Sequence, residues 1–277
     1  MKTLDVIKRR MEEQQTFVCA GIDPNLERMP SDVRSLNLSD EEKVMRFLVG
    51  YMDTVAPYVC AFKLQKAYFD VFAGGHALIK NIIHHAQGKH AIPVIVDCKI
   101  GDIDETMKAY THNLFDLLGA DGVVVNPYMG DDVMLPLAAY PDKVIVPLVK
   151  TSNPGGAVVQ DIRTEKGMYF WQEVLEMVVN RWNTGGNMVP VIASTQGVDL
   201  AAVRKAIPDD MMVFFAGMGA QGGSAQDFGQ LLNKDRSGVL VNSSRGLLYP
   251  ALQAGETWKD AIKRAVTELR DQLNKAR

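Results

Sequence analysis

Short apolar runs alternate with amphipathic, helix-period stretches along the whole chain. Eight runs, four to six residues long and rich in Val and Ile, read as buried strands: 17–22, 59–64, 92–96, 122–125, 144–149, 189–193, 211–215 and 239–242. The stretches between them predict helices over 40–55, 74–86, 102–118, 167–181, 200–206 and 225–232, with a final helix over 257–273. Eight strands separated by helices match the arithmetic of a closed parallel sheet, so the expected fold is an α/β, single-domain (β/α)8 TIM barrel spanning 1–277. A doubly wound open sheet is the alternative. No Pro-, Ser- or Gly-rich linker and no low-complexity tract divides the chain. Two connections are long, 25–40 and 150–166, and the second is a candidate lid.

The polar residues that matter fall at the ends of these strands. Asp97 and Lys99 sit two apart after the apolar run 92–96, which turns both side chains to one face. Gly101 breaks the strand, and 102–110 reads as the start of a helix carrying Asp102 and Thr106 on one face. A charged triplet seen alone would suit a solvated loop. Other strand ends change that weighting. Lys63, two residues from Gln65, lies in an apolar run and needs a partner, which Asp97 supplies in an array of Lys63, Asp97 and Lys99. Asp23 can accept from ribose hydroxyls or open a turn with Pro24.

The sequence Lys150-Thr151-Ser152-Asn153-Pro154 offers small groups that read an amide-bearing ring or merely shape a turn. Gly217-x-Gly219-x-x-Gly222 matches a dinucleotide fingerprint in form, yet the next strand ends in Asn242 and Ser243, without the acid a ribose requires. Bare backbone N–H groups there still suit a phosphate, and Arg245 after the eighth strand can grip the same group. Phosphate sites after strands seven and eight recur in such barrels.

Composition narrows the picture further. A formal charge of −3 leaves no electrostatic footprint for nucleic acid or an anionic membrane, so an anionic ligand must be held by local donors. No apolar run is long enough to span a bilayer, and segment 1–15 is amphipathic and charged, neither signal peptide nor anchor. Cys19, Cys60 and Cys98 match no zinc motif and sit in apolar runs, which predicts buried thiols in a reducing compartment and hence a cytoplasmic location. The five His residues show no metal-ligand spacing and are read as solvated or capping, so no metal is expected. The pairs Glu12-Glu13, Glu41-Glu42 and Asp131-Asp132 read as helix starts and exposed faces.

Together these motifs resemble the orotidine 5′-phosphate decarboxylase family, in its longer, type 2 branch. The resemblance covers nearly the whole chain and rests on Asp97-x-Lys99-x-x-Asp102-Ile103-x-x-Thr106, Phe62-Lys63, Lys150-Thr151-Ser152-Asn153-Pro154, Gly217-x-Gly219-Ala220-Gln221-Gly222-Gly223 and Arg245. It implies decarboxylation of orotidine 5′-monophosphate to UMP and carbon dioxide, the last step of UMP synthesis, with no metal or organic cofactor. It also implies a homodimer with shared active sites, in which Asp102, Ile103 and Thr106 serve the neighbouring subunit. By the same resemblance Lys99, Asp97, Asp102 and Lys63 are catalytic. Asp23 would hold the ribose, Ser152 would read the pyrimidine, and Gln221 with Arg245 would grip phosphate; Thr151, Gly222 and Ser244 join them as substrate-binding residues. Ala216 stands where members often have Pro, and Gln65 where a shorter residue is expected.

The chemistry has its own rationale: losing carbon dioxide from C6 leaves a poorly delocalised carbanion, and the Lys99 ammonium can stabilise and then protonate it. Competing readings are a magnesium-dependent keto-sugar-phosphate decarboxylase, a Schiff-base aldolase using Lys99, and a non-catalytic nucleotide-binding barrel.

Overall fold

A computed structural model describes residues 1–194, 197–216 and 224–277. Its strands are β1 (Val18–Ile22), β2 (Ala61–Gln65), β3 (Val94–Ile100), β4 (Gly122–Val125), β5 (Val144–Lys150), β6 (Val191–Ala193), β7 (Val213–Ala216) and β8 (Val239–Ser243). Each pairs in parallel with the next, and β8 returns to β1 with Cys19 opposite Asn242, which closes the barrel and excludes the open sheet. The helices among the described residues are α1 (Thr3–Glu13), α2 (Ser31–Arg34), α3 (Asp40–Val55), α4 (Gly75–His90), α5 (Asp104–Thr111), α6 (Asp131–Ala138), α7 (Ala157–Gln160), α8 (Phe170–Met177), α9 (Leu200–Ala206), α10 (Ala225–Leu231), α11 (Arg245–Leu248) and α12 (Trp258–Ala276).

Strand alternation splits the apolar residues into two cores. Ala20, Phe62, Val96, Ile145 and Val241 face outward and pack under the helices with Phe47, Tyr51, Ile82 and Trp182. Cys19, Ala61, Ile95, Val146, Phe214 and Leu240 face the barrel axis, where Ile7 and Met11 of α1 join them from below. Segment 1–15 therefore forms the floor of the barrel. Polar strand ends are thereby pushed to the opposite rim.

Several boundaries move from their sequence positions for identifiable reasons. The third strand, predicted over 92–96, runs to Ile100 because the ladder resumes at Ile100 and Val125 beyond a register shift after Asp97. The helix predicted over 102–118 starts only at Asp104, with Ile103 at its N-cap, and passes into a π-helical turn at His112–Leu117. Asp102 thus lies outside the helix and shares no helical face with Thr106. The 25–40 connection folds into a 3₁₀ turn and α2, and 150–166 into a 3₁₀ turn and α7. Helix α4 extends to His90 and ends where Ala91 takes a left-handed backbone, φ 51°. Glu12 and Glu13 close α1 rather than open it.

Two expectations about side chains also change. Cys19 and Cys60 are buried thiols, but Cys98 is only partly buried. The histidines are not simply solvated: His85 and His90 both meet Asp53, His112 pairs with Asp116, and His76 meets Asn113.

Candidate active site

Strand ends from around the barrel open onto one cavity of about 620 Å³. Asp23, Lys63, Asp97, Lys99, Thr151, Ser152, Ser244 and Arg245 line it, together with Asn153, Asn242 and Ser243; Val124, Val191 and Phe214 form its apolar base. Inward-facing residues of a closed barrel reach the axis at its C-terminal rim, so residues far apart in sequence converge there.

The acidic and basic groups alternate. Lys63 Nζ lies 3.7 Å from Asp23 Oδ1 and donates to Asp97 Oδ2 at 3.1 Å. Lys99 Nζ donates to the other oxygen, Asp97 Oδ1, at 2.8 Å. Asp97 therefore holds two ammonium groups, one on each oxygen. Lys63 and Asp97 are almost wholly buried, with side chains 7% and 9% exposed, whereas Lys99 is 47% exposed and faces the opening. Burial pulls Lys63 toward its neutral form, but Asp23 and Asp97 outweigh it and hold its pKa above the usual lysine value.

The backbone around Lys99 departs from a regular strand. Its φ is 47°, in the left-handed region, at the register shift between Asp97 and Ile100. Simple alternation predicted the shared face of Asp97 and Lys99; the bulge is what turns the amine back onto the carboxylate. Across the barrel, Gly21 permits close passage of β1 and the end of β8: a Cβ there would lie 2.7 Å from Ser244 Cα and closer still to its side chain. Arg245, exposed, follows as the first residue of α11.

Thr151 connects the cavity wall to α7. Its N–H donates to Gln160 Oε1 at 3.1 Å, its hydroxyl accepts from Gln160 Nε2 at 2.7 Å, and that hydroxyl donates to Asn153 Oδ1 at 2.7 Å. Lys150 donates to Asp161 at 2.5 Å. The candidate lid is thus held against the cavity by the C-terminal end of α7, through Gln160 and Asp161, while Val158, Val159 and Ile162 expose apolar surface.

Asp102, Ile103 and Thr106 lie outside this wall. Asp102 Oδ1 accepts from the Ile103 N–H at 2.8 Å, Ile103 is 43% exposed, and Thr106 is exposed on α5. Of the expected four-membered array, three members meet within the chain. Gln221 and Gly222 lie outside the described residues. Sequence reasoning missed Asn242 as a site residue, noting it only as not acidic; its Oδ1 is buried with no hydrogen-bond partner among the described residues, as is Asp23 Oδ1. The β1 to β8 register, invisible in linear sequence, is the signal that would have found it.

Comparison with known proteins gives one answer over the full length. The family model described as Orotidine 5′-phosphate decarboxylase / HUMPS family matches residues 17–259. A Bordetella petrii protein named orotidine 5′-phosphate decarboxylase is 34% identical over 266 residues, covering 95% of this chain and 94% of its own. A Dechloromonas aromatica protein of the same name is 34% identical over 280 residues, covering 99% of each. Among solved structures, Leishmania donovani OMP decarboxylase superposes with a TM-score of 0.84 at 29% identity, covering 100% of this chain and 99% of that one.

Proposed function

We propose, for a chain that belongs to the orotidine 5′-phosphate decarboxylase / HUMPS family, decarboxylation of orotidine 5′-monophosphate to UMP and carbon dioxide without metal or organic cofactor. The observation that carries this reading is the alternating line of Asp23, Lys63, Asp97 and Lys99 in one cavity. The full-length relatives carry the decarboxylase name, which favours this substrate over a keto-sugar phosphate.

In the proposed step the C6–carboxylate bond breaks and its electron pair stays on C6. The Lys99 ammonium faces that developing charge and is already held in place by Asp97, so little reorganisation is needed as the bond breaks. Its proton then passes to C6, leaving a neutral amine that regains a proton from solvent. Asp97 and Lys63 fix the amine in place, and Asp97 lies on the side of the departing carboxylate. Asp23 takes ribose hydroxyls, Ser152 the pyrimidine edge, and Arg245, Ser244, Gln221 and Gly222 the phosphate. Thr151 passes closure of segment 150–166 to the site through Gln160. Asn242 gives the ring or its ribose an additional buried acceptor, because a buried polar atom calls for a partner.

The working unit is a homodimer. Asp102, Ile103 and Thr106 complete the neighbouring subunit's site, a reading supported by exposed apolar side chains on and near α5 and α6, namely Ile103, Tyr110, Met129 and Leu135. We place the enzyme in the cytoplasm, consistent with three free thiols; no described helix is long and apolar enough to cross a membrane. The test is loss of orotidine monophosphate absorbance by purified protein in EDTA. Turnover is expected, and binding of UMP with no turnover would overturn the reading.

A further inference from the structure

Far from the cavity, on the floor side of the barrel, two helices end beside each other. Asp53 lies in the last turn of α3, and His85 and His90 lie toward the end of α4. Both imidazole Nε2 atoms meet one carboxylate oxygen, Asp53 Oδ1, at 2.8 Å and 2.7 Å, and the rings stand 5.5 Å apart at 71°. Their ligating atoms all fall within 4.8 Å of one another. The second oxygen, Asp53 Oδ2, accepts from Lys89 at 2.8 Å.

We propose that Asp53, His85 and His90 form a divalent transition-metal site, best suited to Zn²⁺, that ties α3 to α4. Two neutral imidazoles and one carboxylate are a preferred donor set for this ion, which takes nitrogen and oxygen ligands at about 2.0–2.2 Å. Tetrahedral ligands at that range stand about 3.3 Å from one another, so the present contacts need open by only about half an ångström to admit the ion. In the bound state each neutral ring carries its one proton on Nδ1 and presents a bare Nε2 to the ion; a ring that starts as imidazolium releases its second proton to solvent. Lys89 pairs with Oδ2 and competes with the ion for the carboxylate's charge.

The surroundings favour a cation as well. Two helix C-termini, the negative ends of their dipoles, converge at the site. The other nearby cation is Arg10, whose guanidinium is engaged by the carbonyls of Ala56, Val59 and His90. The side chains of His85 and His90 are 19% and 16% exposed against 34% for Asp53, which leaves one outward face for entry and for water as fourth ligand. Linear spacing gave no metal expectation because the carboxylate comes from a different helix.

Metal-stripped protein titrated with Zn²⁺ against a chromophoric chelator tests the site, with Co²⁺ absorption as a second readout of tetrahedral geometry. One saturable equivalent per chain should vanish in the double variant His85→Gln/His90→Gln, and Lys89→Ala should bind as tightly or more tightly. At about a hundredfold excess over Kd, Zn²⁺ should raise Tm by about 5 °C in the parent and not in the double variant. Should the double variant fail to fold, Asp53→Asn alone must lose the equivalent. No saturable Zn²⁺ in the parent, or stoichiometry and affinity unchanged by either set of substitutions, overturns the proposal.

Discussion

Lys99 joins its chemistry to its backbone. A non-glycine residue in the left-handed region costs about 1–2 kcal/mol, and here that cost is tied to a bulge that points the amine at Asp97. Lys99→Ala should lower kcat by about 10⁴ or more while circular dichroism is unchanged. Lys99→Gly should be equally inactive yet more stable than Lys99→Ala by about 1 kcal/mol, measured by denaturant titration. Equal stability of the two would mean the backbone there is not under strain. At Gly21 a methyl group would collide with Ser244, so Gly21→Ala should displace the start of α11 and raise KM about tenfold or more, with a smaller change in kcat. The Asp97, Lys99 and Lys63 cluster was legible in the sequence, because a lysine in an apolar run demands a counter-charge. The bulge and the position of Asn242 in the cavity were not, because both depend on which strand lies alongside.

Among the elements, local signals wrote some boundaries and tertiary contacts wrote the rest. Helix α3 was legible to both ends, since Ser39 and Glu42 form a capping box that fixes its start. Helix α9 was too, with Asp199 capping the Ala202 N–H. Helix α6 carries Pro136 and is short, so its acidic start was the sole local cue. Its anchor is distant: Asp131 accepts from Arg181 and from Trp182 Nε1, both in the π-helical turn that follows α8.

That anchor sets a pH dependence. Hydrogen bonds from Arg181 and Trp182 bring the Asp131 carboxyl down to about 2 from 3.8. A depressed carboxyl contributes stability above its unfolded value and loses it as pH falls through the folded one. Asp131→Asn should therefore lower Tm at pH 7, and the difference should shrink between pH 4 and pH 2. A constant gap across that range would count against the ion pair as its source. On α1, Ile7 is fully buried in the barrel interior, so Ile7→Ala should cost about 2–5 kcal/mol in chemical denaturation.

At the scale of the whole molecule, eight strands with interleaved helices were enough to anticipate a closed barrel, because a parallel sheet must bury both faces. What one chain's sequence cannot hold is the surface that pairs with another chain. The proposed sharing of sites is tested by mixing two inactive variants, Asp97→Ala and Asp102→Ala, under conditions that exchange subunits. Recovery of up to about a quarter of parental activity is expected if each native-like site draws on both chains. No recovery after demonstrated exchange would confine the site to one chain.

The helix that plugs the underside of the barrel has a kinetic consequence. With Ile7 and Met11 wedged among the lowest ring of inward side chains, the chamber is a blind well, and anything that enters by the rim must leave by it. On the proposed chemistry the small gas is made deepest, beneath the nucleotide, so its escape must thread past the bulkier product or await its departure. Gas retained there that rejoins the carbanion is the gas just lost, so labelled carbon dioxide added to the medium should enter unreacted substrate only poorly.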